Sequence, residues 1–296
     1  MEESDDKISE ILLQWEESWK QGIDLPVQEL CQNFPELIEE LQQKVKALKE
    51  MEWITNTPSQ SEGLDEEIPR VLAGRYQLLE RLAVGGFGQV WRAFDPELQR
   101  HVAIKIPKIL NGQSKDNFLE EARKVARLKH SGIVTVYDVG REDEFTFIVS
   151  DVIEGIDLAQ KLRNEHPALT EAVRIIIQVA ENLQFAHEQG FVHRDVKPAN
   201  ILIDQSGKVF ITDFGIAITK EECQAETDSL GTLAYMSPEQ LAAETQLVDA
   251  RTDVYALGVI LFELLTRQHP FPCKTPLMLR ERILFSEPPS LRNINS

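Results

Sequence analysis

Residues 193–200 of the chain read HRDVKPAN, and residues 213–215 read DFG. The first stretch places Asp195, Lys197 and Asn200 within six positions, and Asp213 opens the second. A single aspartate after His-Arg can be only a turn residue. An asparagine five positions on, and a second aspartate before Phe-Gly, make that explanation a minor one. These two stretches are therefore expected to carry chemistry.

The sequence upstream of them is typical of short β-strands. From Tyr76 the runs YQLLERL, GQVWRAF and HVAIKI are separated by Gly-rich or Asp-Pro turns, which suit antiparallel hairpins. Further strands are expected near 133–138 and 145–150, with an amphipathic helical stretch at 115–129. We therefore predict a strand-rich unit that carries one helix.

The strand VAIKI has a two-residue period. It puts Ala103 and Lys105 on the face opposite Val102, Ile104 and Ile106. A lysine that only covers the surface would give the same pattern. The neighbouring motifs favour a lysine that points towards a bound ligand.

Helical patterns dominate the second half of the chain. Leu169 to Gln189 is one helix, with Thr170 as its predicted N-cap and Gly190 as its C-cap, and Asp253 to Thr266 is another. The predicted fold class is α+β, with a small antiparallel β-rich lobe followed by a mainly helical lobe.

Residues 8–53 alternate apolar and charged positions at helical spacing, interrupted by Pro26 and Pro35. The pattern predicts two or three short helices, which could pack as a hairpin, dock on the next domain or bind a partner. Residues 55–70 contain Pro, Gly and Ser without periodicity, which predicts a linker. We expect a domain boundary near residue 70.

Composition limits the possible partners. The net charge is −18, and the first 70 residues hold 18 acidic against 6 basic side chains, which disfavours nucleic acid and anionic membranes. The three cysteines lack the spacing of a zinc site and the density of a disulfide-rich domain. The N-terminus lacks the features of a signal peptide, and no apolar run is long enough for a bilayer. These observations predict a cytoplasmic chain without a membrane segment.

Five ordered segments together resemble the signature set of protein kinases. They are VAIK (102–105), HRDVKPAN (193–200), DFG (213–215), GTLAYMSPEQ (231–240) and DVYALG (253–258). The resemblance is greatest to bacterial serine/threonine kinases of eukaryotic (Hanks) type. It implies a bilobal kinase fold over residues 71–296, with an N-lobe at about 71–150 and a C-lobe at about 151–296, after an acidic helical segment (1–54) and the linker (55–70).

The resemblance also implies a reaction, which is transfer of the ATP γ-phosphate to Ser or Thr hydroxyls of protein substrates with Mg²⁺ as cofactor. Asp195 would accept the proton of the acceptor hydroxyl, and Lys197 would steady the γ-phosphate. Asn200 and Asp213 would bind magnesium. Lys197 is typical of serine/threonine kinases, and tyrosine kinases typically lack it.

Lys105 is expected to bind the phosphates while a carboxylate of the following helix holds it. Glu120 and Glu121 are both candidates, and because they lie about 100° apart around a helix they cannot both face the lysine. The resemblance favours Glu121.

The remaining nucleotide contacts come from three places by resemblance: a glycine-rich hairpin, the strand of Lys105, and the linker after FIVS. The implied ATP-binding residues are Leu82, Ala83, Gly85, Gly86, Phe87, Gly88, Val90, Ala103, Lys105, Asp151, Val152, Asp157, Asn200 and Asp213. Two further residues are expected to be structural, because His193 would brace the catalytic loop and Asp253 would bind its backbone.

Regulation and acceptor choice follow from the same resemblance. Arg194 would receive a phosphate on Thr227 or Ser229, although an unmodified polar loop is an equally open alternative. Thr232 stands where the family lines the acceptor site.

The chain departs from the family pattern at two points. Ala83 replaces the first glycine of the G-x-G-x-x-G loop. The sequence also stops at SLRNINS, so the C-lobe is predicted to be incomplete and Glu239 to lack its usual arginine partner. A nucleotide-binding pseudokinase or scaffold, and a docking module made of the acidic helices, are therefore the competing interpretations.

Ser150 falls at the position that the family uses as gatekeeper to the pocket behind adenine. A side chain this small should admit bulky purine analogues, which Ser150→Met should exclude. We expect such analogues to inhibit phosphotransfer by the unaltered chain and not by the methionine variant. Equal resistance of the two proteins in a labelled-ATP assay would contradict the prediction.

Overall fold

The structure is a computed structural model, and part of the chain is described in it. The described residues are 8, 11–12, 15, 18, 25–31, 34, 37–38, 41–42, 44–45, 70–85, 88–107, 115–143, 145–214, 230–242, 245–273 and 275–294. For residues 85, 115–117, 230, 232, 245 and 293–294 it describes the backbone alone.

The N-terminal segment forms an apolar cluster of its own. Its buried members are Ile8, Ile11, Leu12, Trp15, Val27, Cys31, Leu37, Leu41 and Val45, and its one fully described helix is α1 (Val27–Leu30). Leu277, from the C-terminal part of the chain, packs against this cluster. Burying one such side chain stabilises by roughly 1.5–3 kcal/mol. Of the three arrangements that the sequence left open, the described residues therefore show contact with the following domain.

The N-lobe is built on a six-stranded antiparallel sheet. In sheet order its strands are β1 (Val71–Leu72), β2 (Tyr76–Gly85), β3 (Gly88–Asp95), β4 (Arg100–Pro107), β6 (Phe145–Ser150) and β5 (Val136–Glu142). On β4 the burial alternates as predicted, since Val102, Ile104 and Ile106 are buried while Ala103 and Lys105 lie on the other face.

One helix, α2 (Lys115–Val125), packs on this sheet. Phe118, Leu119 and Ala122 of the helix form a buried cluster with Ile148 of β6. The helix is amphipathic, so its opposite face carries charged residues. This packing places α2 on β6, and Ile148 of that strand pairs with Lys105 of β4.

The C-lobe is mainly helical and holds a small second sheet. Its helices are α3 (Leu158–Asn164), α4 (Leu169–Glu188), α5 (Leu230–Leu233), α6 (Pro238–Leu241), α7 (Ala250–Thr266), α8 (Pro276–Phe285) and α9 (Leu291–Ile294). The sheet consists of β7 (Gly155–Asp157), β8 (Ile201–Asp204) and β9 (Val209–Ile211). Helices α4 and α7 pack around one core, to which β8 and β9 contribute Ile201 and Ile211. The α+β bilobal prediction is confirmed.

The predicted ends of α4 are partly wrong. Its N-cap is Ala168, which makes no side-chain capping bond, and Thr170 lies inside the first turn. Glu171 of that turn pairs with Lys161 of α3 at 2.9 Å, which joins the two helices. At the other end Gly190 adopts φ +81° just after Gln189, a conformation that favours glycine.

Asp95 provides a test of the N-lobe. Its side chain is fully buried at the end of β3 and accepts hydrogen bonds from Arg75 Nε (2.9 Å) and Nη2 (2.7 Å). These bonds hold the pKa of Asp95 below its ordinary value of 3.8. A carboxyl with a lowered folded-state pKa contributes stability above its unfolded pKa and loses it as the pH falls through the folded one. We expect Asp95→Asn to lower the melting temperature at pH 7, with a difference that shrinks below about pH 4.

The matched control is Asp143→Asn, at an exposed turn residue with φ +50°, a conformation that asparagine tolerates. It should melt like the unaltered chain across the same pH range. A constant Asp95→Asn difference between pH 7 and pH 3 would contradict the assignment.

Candidate functional site

The loop 193–200 is held by one buried carboxylate. Asp253, 1% exposed on α7, accepts hydrogen bonds from the backbone N–H groups of His193 (2.8 Å to Oδ2) and Arg194 (2.8 Å to Oδ1). His187 Nε2 lies 2.7 Å from the same Oδ2. These contacts fix Arg194 at φ +65°, a conformation that costs a non-glycine residue roughly 1–2 kcal/mol. Asp253 thus binds the loop backbone as expected.

The side chain of Asp195 receives two hydrogen-bond donors from its own loop. Asn200 Nδ2 lies 2.8 Å from both the backbone carbonyl oxygen and the Oδ2 of Asp195. Lys197 Nζ lies 2.9 Å from the same Oδ2. Both partners come from the short turn at Pro198–Asn200 and the residue before it. Local backbone geometry therefore determines which way the Asp195 carboxylate faces.

Lys105 meets the second motif across the interlobe boundary. Its Nζ lies 2.8 Å from Asp213 Oδ1, and the two side chains are 24% and 32% exposed. Partial burial by itself raises the pKa of the Asp213 carboxyl, but the Lys105 ammonium outweighs burial and the pKa lies below its ordinary value. Asp213 is therefore an anion at neutral pH.

Backbone hydrogen bonds join the two loops. The N–H of Thr212 donates to the carbonyl of Asn200 (3.0 Å), and His193 Nε2 lies 2.9 Å from the carbonyl of Thr212. The N–H of Asp195 donates to His193 Nδ1 (3.2 Å), so Nε2 carries the hydrogen that binds Thr212. Phe214 is buried in the C-lobe core, with its ring centroid 4.6 Å from that of His193. His193 thus braces both loops from below.

The two candidate carboxylates of α2 differ in exposure. Glu120 is exposed and lies 3.6 Å from Lys124 on the helix surface, whereas Glu121 is half-buried. The inward position belongs to Glu121, which agrees with the choice made from the resemblance. Its pairing with Lys105 stays a prediction.

The glycine-rich hairpin joins β2 and β3. Ala83 pairs with Val90 and Gly85 with Gly88, and Val90 in turn pairs with Lys105 of β4. Gly88 adopts φ +119°, which a side chain would disfavour. Leu82 is half exposed at the edge of the hairpin. Gly86 and Phe87, predicted at the tip, lie outside the described residues.

The predicted adenine side lies along β4, β6 and the segment that follows β6. Ala103 pairs with Ser150, and the N–H of Asp151 donates to the carbonyl of Thr135 (3.0 Å). The N–H of Asp151 is therefore already used, and of its two backbone groups only the carbonyl oxygen is left for adenine. The sequence had predicted contacts from the backbone of Asp151 without specifying the group. Val152 is half-buried beside it.

Asp157 caps the helix that follows the linker. Its carboxylate accepts a hydrogen bond from the N–H of Gln160 (2.7 Å) at the start of α3. If the Asp157 carboxylate also contacts the ribose, as predicted, it must do so while it accepts the hydrogen bond from Gln160.

The segment 230–241 contacts the loop from the acceptor side. Gln240 Nε2 donates to the carbonyl of Arg194 (2.7 Å), and Thr252 Oγ1 donates to Glu239 Oε1 (2.7 Å). Glu239 therefore receives a hydrogen bond from a hydroxyl of α7, while the absence of its usual arginine partner stays a prediction. Thr227, Ser229 and the side chain of Thr232 lie outside the described residues.

Sequence reasoning missed three residues that hold the site in place. His187 contacts Asp253, Thr252 contacts Glu239, and Gln240 contacts Arg194. Thr252 adjoins the motif at 253–258 and Gln240 is the last residue of the motif at 231–240, so their place in the sequence was the only available signal. The partner of each lies between 13 and 66 positions away, and spacing does not reveal such pairs.

Comparison with known proteins agrees with this geometry. The protein kinase domain family matches residues 76–287. The serine/threonine-protein kinase PrkC of Bacillus subtilis (strain 168) is 39% identical over 236 residues, which cover 77% of this chain and 36% of the relative. PknB of Mycolicibacterium smegmatis is 37% identical over 239 residues, 76% of this chain and 38% of the relative. PknB of Mycobacterium tuberculosis is 36% identical over 239 residues, with the same two shares.

The chain spans about a third of the length of these curated relatives. None of the helices in its described part combines the length and apolar character that crossing a membrane requires. The family match covers well over half of the chain, and the loop geometry is that of the quoted motifs. The chain therefore belongs to the protein kinase family, among the bacterial serine/threonine kinases of Hanks type.

Proposed function

We propose that this chain transfers the γ-phosphate of ATP to serine or threonine hydroxyls of protein substrates. One observation carries the proposal: Lys105 contacts Asp213 at 2.8 Å, and Asn200 and Lys197 contact Asp195 at 2.8 and 2.9 Å. The two groups are joined by the backbone, because the N–H of Thr212, next to Asp213, donates to the carbonyl of Asn200 (3.0 Å). Each contact joins a cation or an N–H donor to an oxygen acceptor. Such an array positions and neutralises a phosphoryl group, which is the main demand of this reaction.

Asp195 is the group that we assign to the acceptor hydroxyl. Its Oδ2 is bound by Asn200 Nδ2 and Lys197 Nζ, so we place the hydroxyl at Oδ1, which accepts its hydrogen bond and then its proton. The two donors fix the rotamer of the Asp195 side chain. The Lys197 ammonium, held by Asp195, lies where it can attract the negative charge of the transferred group.

Magnesium suits the residues present. Asn200 donates both of its hydrogen bonds through Nδ2, and its amide oxygen, like the Asp213 carboxylate, is a hard donor of the kind that Mg²⁺ prefers. No cluster of three His, Cys, Asp or Glu side chains that could hold a metal occurs in the described part of the chain. Sites for Mg²⁺ in phosphotransferases need only one or two protein ligands, because substrate phosphates complete the shell. The ion would neutralise charge on the transferring phosphate.

The nucleotide would lie between the hairpin and the linker. Ala103, Val90 and Leu82 offer apolar surface to adenine, and the Asp151 carbonyl and the backbone of Val152 offer polar groups. Gly85, Gly86, Phe87, Gly88 and Ala83 would cover the phosphates, Glu121 would hold Lys105, and Asp157 would reach the ribose. The low cysteine content and the acidic surface fit a cytoplasmic location.

Asp195→Asn tests the assignment of the proton acceptor. The amide keeps the shape of the side chain but cannot accept a proton, so we expect the rate of phosphotransfer to fall by about 10²–10⁴. The measurement is incorporation of labelled phosphate from ATP and Mg²⁺ into a generic basic protein, with Asp143→Asn, an exposed position, as the control.

The control variant should match the unaltered chain. Equal labelling in Asp195→Asn and unaltered protein would remove the catalytic role of Asp195. Labelling in neither, with nucleotide binding intact, would favour the pseudokinase interpretation.

Phosphorylation of the segment 216–230 tests regulation through Arg194. Asp253 and Gln240 fix the backbone of Arg194, so the point from which its side chain extends is set before any phosphate is added. We expect mass spectrometry after incubation with ATP to find phosphate on Thr227 or Ser229, and Arg194→Ala to abolish the resulting activation. An active kinase with an unmodified segment would exclude the mechanism.

A further inference from the structure

Helix α8 (Pro276–Phe285) is covered on two opposite sides. Leu279 and Ile283 pack in a buried cluster with Leu233, Met236 and Leu241. Leu277 packs against the N-terminal cluster instead. Residues two positions apart in a helix lie about 200° apart around its axis, so these are different faces. The helix is therefore enclosed between the N-terminal segment and the segment 230–241.

A buried ion pair joins the N-terminal segment to the same helix. Lys44 Nζ contacts Glu281 Oε1, and the two side chains are 11% and 6% exposed. Glu281 is one helical turn from Leu277, so the ion pair and the apolar contact share one face of α8. A buried charge is costly unless it is paired. Because the buried Glu281 carboxylate requires a cation at one point, it fixes where Lys44 lies on α8. Apolar packing alone would allow the segment to shift along the helix.

We propose that residues 8–45 form a docking module for the outer face of α8, that Lys44–Glu281 fixes its position, and that the docked module supports the segment 230–241 through the helix. The occupant of this face is the chain's own N-terminus. Of the 24 charged side chains in the first 70 residues only six are basic, and one of them is placed against a buried glutamate. The charge complementarity is confined to the Lys44–Glu281 contact, because the rest of the segment is acidic like the protein as a whole.

The segment on the far side of α8 leads to the catalytic loop. Leu233, Met236 and Leu241 flank Gln240, which donates to the carbonyl of Arg194 next to Asp195. In a close-packed interior, removing support from one side of a helix is felt on the other. This step rests on the proposed kinase function: loss of docking should weaken binding of the protein acceptor more than binding of ATP, whose contacts lie on β4, β6 and the linker.

The first experiment tests docking without using activity. A protease site is inserted in residues 55–70 of the full chain, the chain is cut, and the two pieces are followed by gel filtration. We expect the pieces of the otherwise unaltered chain to elute together as a one-to-one complex. Lys44→Glu, which places two carboxylates together, should weaken the complex at least tenfold in dissociation constant.

Two double variants guard against simple misfolding. Lys44→Glu with Glu281→Lys restores opposite charges, and Lys44→Met with Glu281→Met replaces the pair by apolar side chains, which buried ion pairs often tolerate. At least one should co-elute like the unaltered pair. The control is Lys129→Glu, the same charge change at an exposed lysine of the kinase part, which should leave the complex intact.

Three outcomes would overturn the proposal. One is separation of the pieces in the unaltered chain, and another is separation in both double variants. The third is a two-to-two complex at all concentrations, which would assign the module to the α8 helix of a second copy.

The second experiment tests support of the segment 230–241 in the uncut chain. Hydrogen exchange of 276–285 and 230–241 should be faster in Lys44→Glu, while that of 145–150 should be unchanged. The KM for a basic protein acceptor should rise several-fold, with the KM for ATP within twofold. Unchanged exchange in 230–241 would overturn the supporting role. Absence of labelling by the unaltered chain would contradict the proposed function alone, because co-elution and exchange would still decide the docking.

Discussion

The site depends on the buried carboxylate of Asp253. From the first turn of α7 it accepts the backbone N–H groups of two consecutive loop residues, His193 and Arg194. Buried backbone donors require partners, and here one side chain satisfies two of them. The same contact holds Arg194 in a left-handed conformation. The chain turns at this residue, and Asp195 follows with its carboxylate beside Asn200 and Lys197. The most buried helix of the C-lobe thus determines where the proposed proton acceptor lies.

Charge in the site is balanced at short range, although the protein as a whole is strongly acidic. Asp213 contacts Lys105, and Asp195 contacts Lys197, each at less than 3 Å. Both cations are part of the site itself, so they supply local positive charge for the anionic nucleotide of the proposed reaction, although the chain as a whole carries −18. Exposed charges are screened within about 8–10 Å at physiological salt, whereas these partly buried pairs are screened much less. The local field, and not the net charge, governs the chemistry.

The N-terminal segment and the acceptor side meet through α8. One face of that helix carries Leu277 and Glu281, the other Leu279 and Ile283, and both are buried. A helix that is buried on two sides transmits displacement instead of absorbing it, because its neighbours are close-packed. The sequence predicts the acidic N-terminal segment as a unit apart from the kinase domain. In the folded chain its described residues pack on α8 of the C-lobe.

Local periodicity and residue type were enough to predict several features from the amino-acid sequence. Three features were predicted in this way, because period and motif spacing are properties of residues that are close in the chain. They are the burial alternation on VAIKI, the helices around Leu169–Glu188 and Ala250–Thr266, and the order of the motifs. Three other features became visible only in the folded chain. They are the N-cap of α4 at Ala168 instead of Thr170, the hydrogen bond that Thr252 donates to Glu239, and the contact of Lys44 with Glu281. The two contacts depend on packing between elements that are distant in the chain, and neither spacing nor propensity contains that information.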